Sequence, residues 1–173
     1  MSASGRPAAS EHNPYFSRYI DRVSGADVLA ALEAQTPATL ALLRGVSEAA
    51  SLRRYEAGKW SLREVLGHVI DAERVFVYRA LRFARADESP LASFEQDPWI
   101  AAAGFDRIPW ADLIAEYEAV RRATILFFRG LDPAAWQRAG VAGGSPTSVR
   151  ALAFITAGHE LHHVEVVRAK YLA

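Results

Sequence analysis

Apolar residues recur every three or four positions along most of this chain, which is the period of an amphipathic helix rather than a strand. Asn13-Pro14 supplies an N-cap followed by proline at the first helical position, and Phe16, Tyr19, Ile20 and Val23 follow at helical spacing until Ser24-Gly25. A longer stripe runs through Val28, Leu29, Leu32, Leu40, Leu43 and Val46. Pro37 inside it predicts a kink, or two helices meeting end to end. Ser61-Leu62-Arg63-Glu64 has the capping-box pattern, with Trp60 before it as a staple. Val65, Leu66, Val69, Ala72, Phe76 and Ala80 carry that helix to about Arg85. Residues 87–108, with Pro90, Pro98 and Gly104, read as a long loop holding a short helix. Another helix begins near Pro109, presents Leu113, Tyr117, Val120, Thr124 and Phe128, and ends at Gly130. Residues 138–147 read as a Gly-rich loop, and a last helix runs from Thr147 or Ser148 to Tyr171. No strand alternation or internal repeat stands out. The expectation is an all-α four-helix bundle, a fold in which metal sites grow from inward-facing side chains.

Composition narrows the chemistry. The 173 residues suit one domain, 13–173, preceded by a small, polar stretch at 1–12 that reads as a disordered tail. Lys plus Arg (20) equals Asp plus Glu (20), so no general attraction to nucleic acid or acidic membranes is expected. The absence of Cys excludes disulfides, thiolate ligands and a cysteine nucleophile. No apolar run has the ~18 residues of a membrane span, and the start of the chain lacks a signal-peptide pattern, so a cytoplasmic protein is expected.

The candidate chemistry lies in the histidines. His159 and His163 sit four apart in the last helix and share a face, so both can reach one ion. His68 on another helix could complete a three-histidine set with positions left open for chemistry. Taken alone, His68 would be read as an ordinary hydrogen-bonded residue. His162 is rotated away from His163 and reads as a neighbour facing solvent or a subunit contact; His12 lies in the expected tail. His159-Glu160-Leu161-His162-His163 also satisfies the zinc-protease pattern H-E-x-x-H. Only VEVVRAKYLA follows, with Val166 and Ala169 where the extended motif needs Gly and His, so a protease is disfavoured. Glu160 is about 100° around the helix from His159 and is expected to miss the site. Glu64 or Asp71 could orient His68 or act as a base, although a cap and a surface charge explain them. Arg74, Arg79, Arg82 and Arg85 could attract an anion, but complementing the helix C-terminus is the simpler reading. The four tryptophans, Trp60, Trp99, Trp110 and Trp136, read as core or interface residues.

Four segments together resemble one family: Tyr55–Ser61 (YEAGKWS), Val65–Arg74 (VLGHVIDAER), Arg79-Ala80-Leu81 and Ala157–His163 (AGHELHH). They resemble the DinB-like, YfiT-related metalloenzymes over about residues 14–172. The resemblance implies an up-down-down-up bundle, often dimeric, with His68, His159 and His163 as ligands to zinc or nickel. It also implies, through some members, transferase or isomerase chemistry with a low-molecular-weight thiol. The resulting expectation is a metal-dependent enzyme on a small molecule, with thiol-dependent transfer ahead of hydrolysis and a homodimer as its state. A non-catalytic metal-binding or dimerisation module of stress response is the alternative from a different class.

Overall fold

The computed structural model describes residues 5–172. Four long helices form the bundle: α2 (Val28–Arg44), α3 (Leu62–Ala84), α5 (Trp110–Arg129) and α6 (Val149–Val166), the last continuing as a π-helical turn over Val167–Tyr171. Two shorter helices, α1 (Ser17–Ile20) and α4 (Gln96–Ala103), and a hairpin of β1 (Ala139–Ala142) and β2 (Ser145–Ser148) complete it.

Cross-helix pairs give the direction of each rod. Glu33 meets Arg129 and Arg44 meets Glu118, so α2 and α5 are antiparallel. Arg63 near the start of α3 donates to the Ile108 carbonyl just before α5 (2.6 Å), and Glu73 meets Arg121 further along both, so α3 and α5 run together. Tyr171 donates to the Trp60 carbonyl at one end of the α3–α6 pair, and His68 meets His159 further in, so these two are antiparallel. The result is the up-down-down-up order, with 85–109 as the crossover between the two parallel helices.

Local chemistry explains the helix boundaries. Ser61 Oγ accepts from the Glu64 N–H (3.1 Å) and Glu64 accepts from the Ser61 N–H (2.7 Å), the reciprocal box expected at the start of α3. Asp27 and Ser148 cap α2 and α6 by accepting from the Ala30 and Ala151 N–H groups, without the reciprocal half of a box. Pro37 does not divide α2. It sits on an exposed face, and one helix runs through it.

Two expectations are corrected. Residues 138–147 form the β1–β2 hairpin, because Gly143 and Gly144 (φ 57° and 77°) supply the two left-handed positions of a tight turn. Residues 5–12, expected within a disordered tail, pack against the bundle. Arg6 donates to the Ile20 carbonyl (2.9 Å), Glu11 pairs with Arg150 and accepts from Ser148 (2.7 Å), and His12 is buried. Residues 1–4 of that segment lie outside the described residues.

The core divides into two apolar clusters. One gathers Val28, Leu32, Phe76, Phe83, Phe128 and Phe154; the other gathers Leu40, Leu43, Leu62, Leu66, Leu113 and Tyr171. Between them lies a polar layer, and the candidate site belongs to it.

Candidate metal centre

His68 projects from α3 and His159 and His163 from α6, and the structure brings all three together. One ring nitrogen from each lies within 4.8 Å of the others, and His68 Nε2 is 3.1 Å from His159 Nε2. Two nitrogens bound to one zinc at ~2.0–2.1 Å in tetrahedral geometry lie ~3.3 Å apart, so small rotations of these rings make a ligand set. The donors also suit the task chemically. Burial pushes the His68 imidazole down to about 4 and His163 down to about 3, and holds His159 well below its ordinary value. All three are therefore neutral at pH 7, as metal ligation requires.

Glycine makes the close packing around two of these rings possible. A Cβ on Gly158 would sit 1.9 Å from the Tyr19 carbonyl oxygen, so α1 can cross α6 only at this residue. That crossing sets the Tyr19 ring against His159, with centroids 5.2 Å apart. Likewise a Cβ on Gly67 would overlap the Phe105 ring at 2.5 Å, beside His68.

His68 and His159 line a cavity of about 440 Å³ that also takes in Tyr19, Phe76 and Arg79. His163 faces a second cleft of about 350 Å³, lined by Lys59, Trp60 and Tyr171. Gln96 and Asp97, at the start of α4, border both. The triad thus stands between two openings. Asp97 is the charge that opposes the downward shift of His68. It comes from a segment read in the sequence only as a loop with a short helix.

Beside the triad lies a fully buried ionic network. Arg121 of α5 donates to Glu73 of α3 (Nη2–Oε2 2.7 Å, Nε–Oε1 3.0 Å) and to Glu160 of α6. Tyr117 (2.7 Å) and Thr39 (2.5 Å) also donate to Glu160. All four helices meet here. Glu160 is turned from the three imidazoles, as its angle on the helix predicts, and into the core. Glu73 and Arg121 went unremarked in the sequence, although a signal existed. Leu62, Leu66, Val69, Glu73, Phe76, Ala80 and Phe83 form one buried stripe, and Trp110, Leu113, Tyr117, Arg121, Thr124 and Phe128 another, each interrupted by a charge.

The remaining sequence candidates are placed as follows. Glu64 caps α3 and pairs with Arg54, and Asp71 pairs weakly with Arg74 (3.7 Å); neither hydrogen-bonds to His68, whose ring nitrogen meets His159. His162 is half-buried, packed against Tyr19 and His163, and outside the triad. Arg74 and Arg85 are exposed, as a solvated helix end predicts, but Arg79 is buried, which overturns that reading for this residue. Trp110 and Trp136 are core residues, whereas Trp99 is 44% exposed.

A bundle of this topology, with one histidine on its second long helix and two on its last, defines a class. The chain belongs to the DinB superfamily, whose family model matches residues 20–167. Among solved structures it is similar to YfiT from Bacillus subtilis, at 18% identity and a TM-score of 0.69, over 94% of this chain and 91% of that one. That protein is described as a probable metal-dependent hydrolase with an unusual four-helix bundle topology; at this identity the likeness concerns the fold. No curated protein matches the sequence significantly. Among the described residues no helix is long and apolar enough to cross a membrane.

Proposed function

We propose that this protein is a metal-dependent enzyme acting on a small molecule, with His68, His159 and His163 as ligands of a divalent ion, zinc or nickel. The observation that carries the reading is the convergence of three neutral imidazoles at the wall of a cavity. A divalent ion held by three neutral nitrogens supplies Lewis acidity, lowering the pKa of a water or thiol that takes a remaining position. The protein's own part is to keep the imidazoles unprotonated by burial, to fix His159 between Tyr19 and Phe76, and to shape the space in front.

Transfer between two substrates, one of them a small thiol, is the first reaction class. It is supported by the two clefts that meet at the triad, which give two molecules separate approaches to one centre. Hydrolysis is the second reading. Asp97 borders the site and could take a proton from water, and the description of YfiT is consistent with it. A purely structural metal module accounts for neither cleft.

The test uses zinc- and nickel-loaded protein with a panel of electrophiles, assayed with and without added cysteine, glutathione or another small thiol. Thiol-dependent product supports transfer, and thiol-independent cleavage of esters or amides supports hydrolysis. Failure of both metals to bind at micromolar concentration would sink the reading.

A further inference from the structure

Arg79 is a buried cation with no carboxylate to answer it. It is 6% exposed, yet no Asp or Glu lies within ion-pair distance of it among the described residues. Its one direct hydrogen bond is from Nη2 to the Ala92 carbonyl (2.7 Å), and its guanidinium lies near the Phe94 ring, 5.9 Å from the centroid. A guanidinium has five N–H donors, so most of its capacity is left over. Every other buried arginine of the bundle is matched: Arg121 by Glu73 and Glu160, Arg63 by Glu48. Burying a charge without a counter-charge is costly, and such residues are rare unless a ligand supplies the missing partner.

The position of Arg79 says which ligand. It lines the same cavity as His68 and His159 and, among the described residues, is the one Lys or Arg to do so. It follows His68 by eleven residues on α3, hence within roughly 20° of the same face and about 16 Å along the axis. Helical side chains lean toward the N-terminus, and an extended arginine reaches ~6 Å, so its guanidinium stands on the order of 10 Å from the triad. Asn13, Ser93 and Ser145 line the same cavity and offer polar groups for an anion.

We propose that Arg79 is a substrate-binding residue that takes the carboxylate or phosphate of an elongated small molecule, with its reacting group presented to the triad on the order of 10 Å away. This rests on the triad being the reactive end. The anion-binding half of the proposal can nevertheless be tested without metal. Glu95 and Asp97 also line the cavity and repel anions. A preference of the metal-free cavity for an anion that is lost in Arg79→Met therefore comes from Arg79.

The experiment has two arms. In the first, EDTA-treated protein at pH 7.5 and constant ionic strength is titrated with adipate, with phenyl phosphate, and with 1,6-hexanediol as a neutral control. Binding is followed calorimetrically and through the Arg79 Nε–Hε signal in NMR spectra. The anions should bind at least tenfold more tightly than the diol and should shift that signal. Arg79→Met should abolish the difference, and Arg79→Lys should retain part of it. Equal binding of anion and diol, or an anion preference that survives Arg79→Met, overturns the proposal. If Arg79→Met does not fold, the wild-type comparison and its NMR signal decide alone. A greater gain from adipate than from phenyl phosphate identifies a carboxylate ligand, and the reverse a phosphate. In the second arm, zinc-loaded protein is titrated with adipic monohydroxamic acid and with hexanohydroxamic acid, which share the metal-binding group and differ in the terminal carboxylate. A tenfold advantage of the carboxylate, lost in Arg79→Met, supports the proposed span, and no advantage refutes it. Failure of zinc to load refutes the metal assignment, while anion binding at Arg79 is still decided by the metal-free titration.

Discussion

Replacing Arg121 with methionine tests how the polar layer is held. Arg121 is fully buried, and its partners Glu73 and Glu160 are 3% and 2% exposed at the side chain. Arg121→Met conserves most of the stem and removes the charge, leaving two carboxylates facing each other in the core without a cation. Breaking one buried pair costs about 3–5 kcal/mol. Because both acids lose the same partner, the two losses are coupled rather than additive. Against a total stability of about 5–15 kcal/mol, a loss of about 3–5 kcal/mol is at least a fifth. At about 2–4 °C per kcal/mol for a chain of this size, Tm should fall by about 6–20 °C. The assay is urea unfolding of EDTA-treated protein by far-UV circular dichroism, with the midpoint compared at constant slope. The triple variant Arg121→Met/Glu73→Gln/Glu160→Gln removes both stranded charges and should recover at least half of the loss. A single variant that loses less than about 1 kcal/mol would refute the reasoning. So would a triple variant no more stable than the single.

Other outcomes follow from the same geometry. Gly158→Ala drives a methyl group into the Tyr19 backbone and should cost about 3 kcal/mol, the upper range for overpacking, because a carbonyl cannot move aside as a side chain can. A midpoint unchanged in urea would contradict that crossing. The metal-free protein should lose stability as pH falls. The folded-state values of His68 (about 4) and His163 (about 3) lie below the unfolded value near 6.5, so the unfolded chain binds more protons in that window. The contribution is complete above pH ~6.5 and declines toward pH ~3–4, and His68→Gln/His163→Gln should flatten the slope. Glu11→Gln should cost about 1 kcal/mol by loosening the N-terminal segment from Arg150, readable as faster proteolysis ahead of α1. Rates of cleavage equal to wild type would count against that docking.

The sequence makes the helices and the histidine pair legible for local reasons. A capping box lies within one turn, and His159 and His163 share a face by spacing alone, so Ser61, Glu64 and the histidine pair can be read without knowing what packs on what. Residues whose role depends on which helix faces meet are not legible this way. Arg79 and Arg82 look alike in a run of arginines, yet one is buried in a cavity and the other pairs with Asp87. Glu73 and Arg121 make sense only once α3, α5 and α6 converge. The hairpin escaped notice because its strands are four residues each and lack apolar alternation, although Gly143-Gly144 marks the turn. Asp97 reaches the site only because the α3–α5 crossover folds back over it.

The most direct test of the central claim is zinc and nickel binding to purified protein, measured by competition with a chromophoric chelator and by X-ray absorption at the metal edge. One ion per chain should bind, with about three imidazoles at ~2.0–2.1 Å for zinc. His68→Ala, His159→Ala and His163→Ala should each weaken binding at least a hundredfold, while His12→Ala leaves it unchanged and His162→Ala has a smaller effect. Full metal content in the triple alanine variant, or an absorption spectrum without imidazole ligands, would contradict the account.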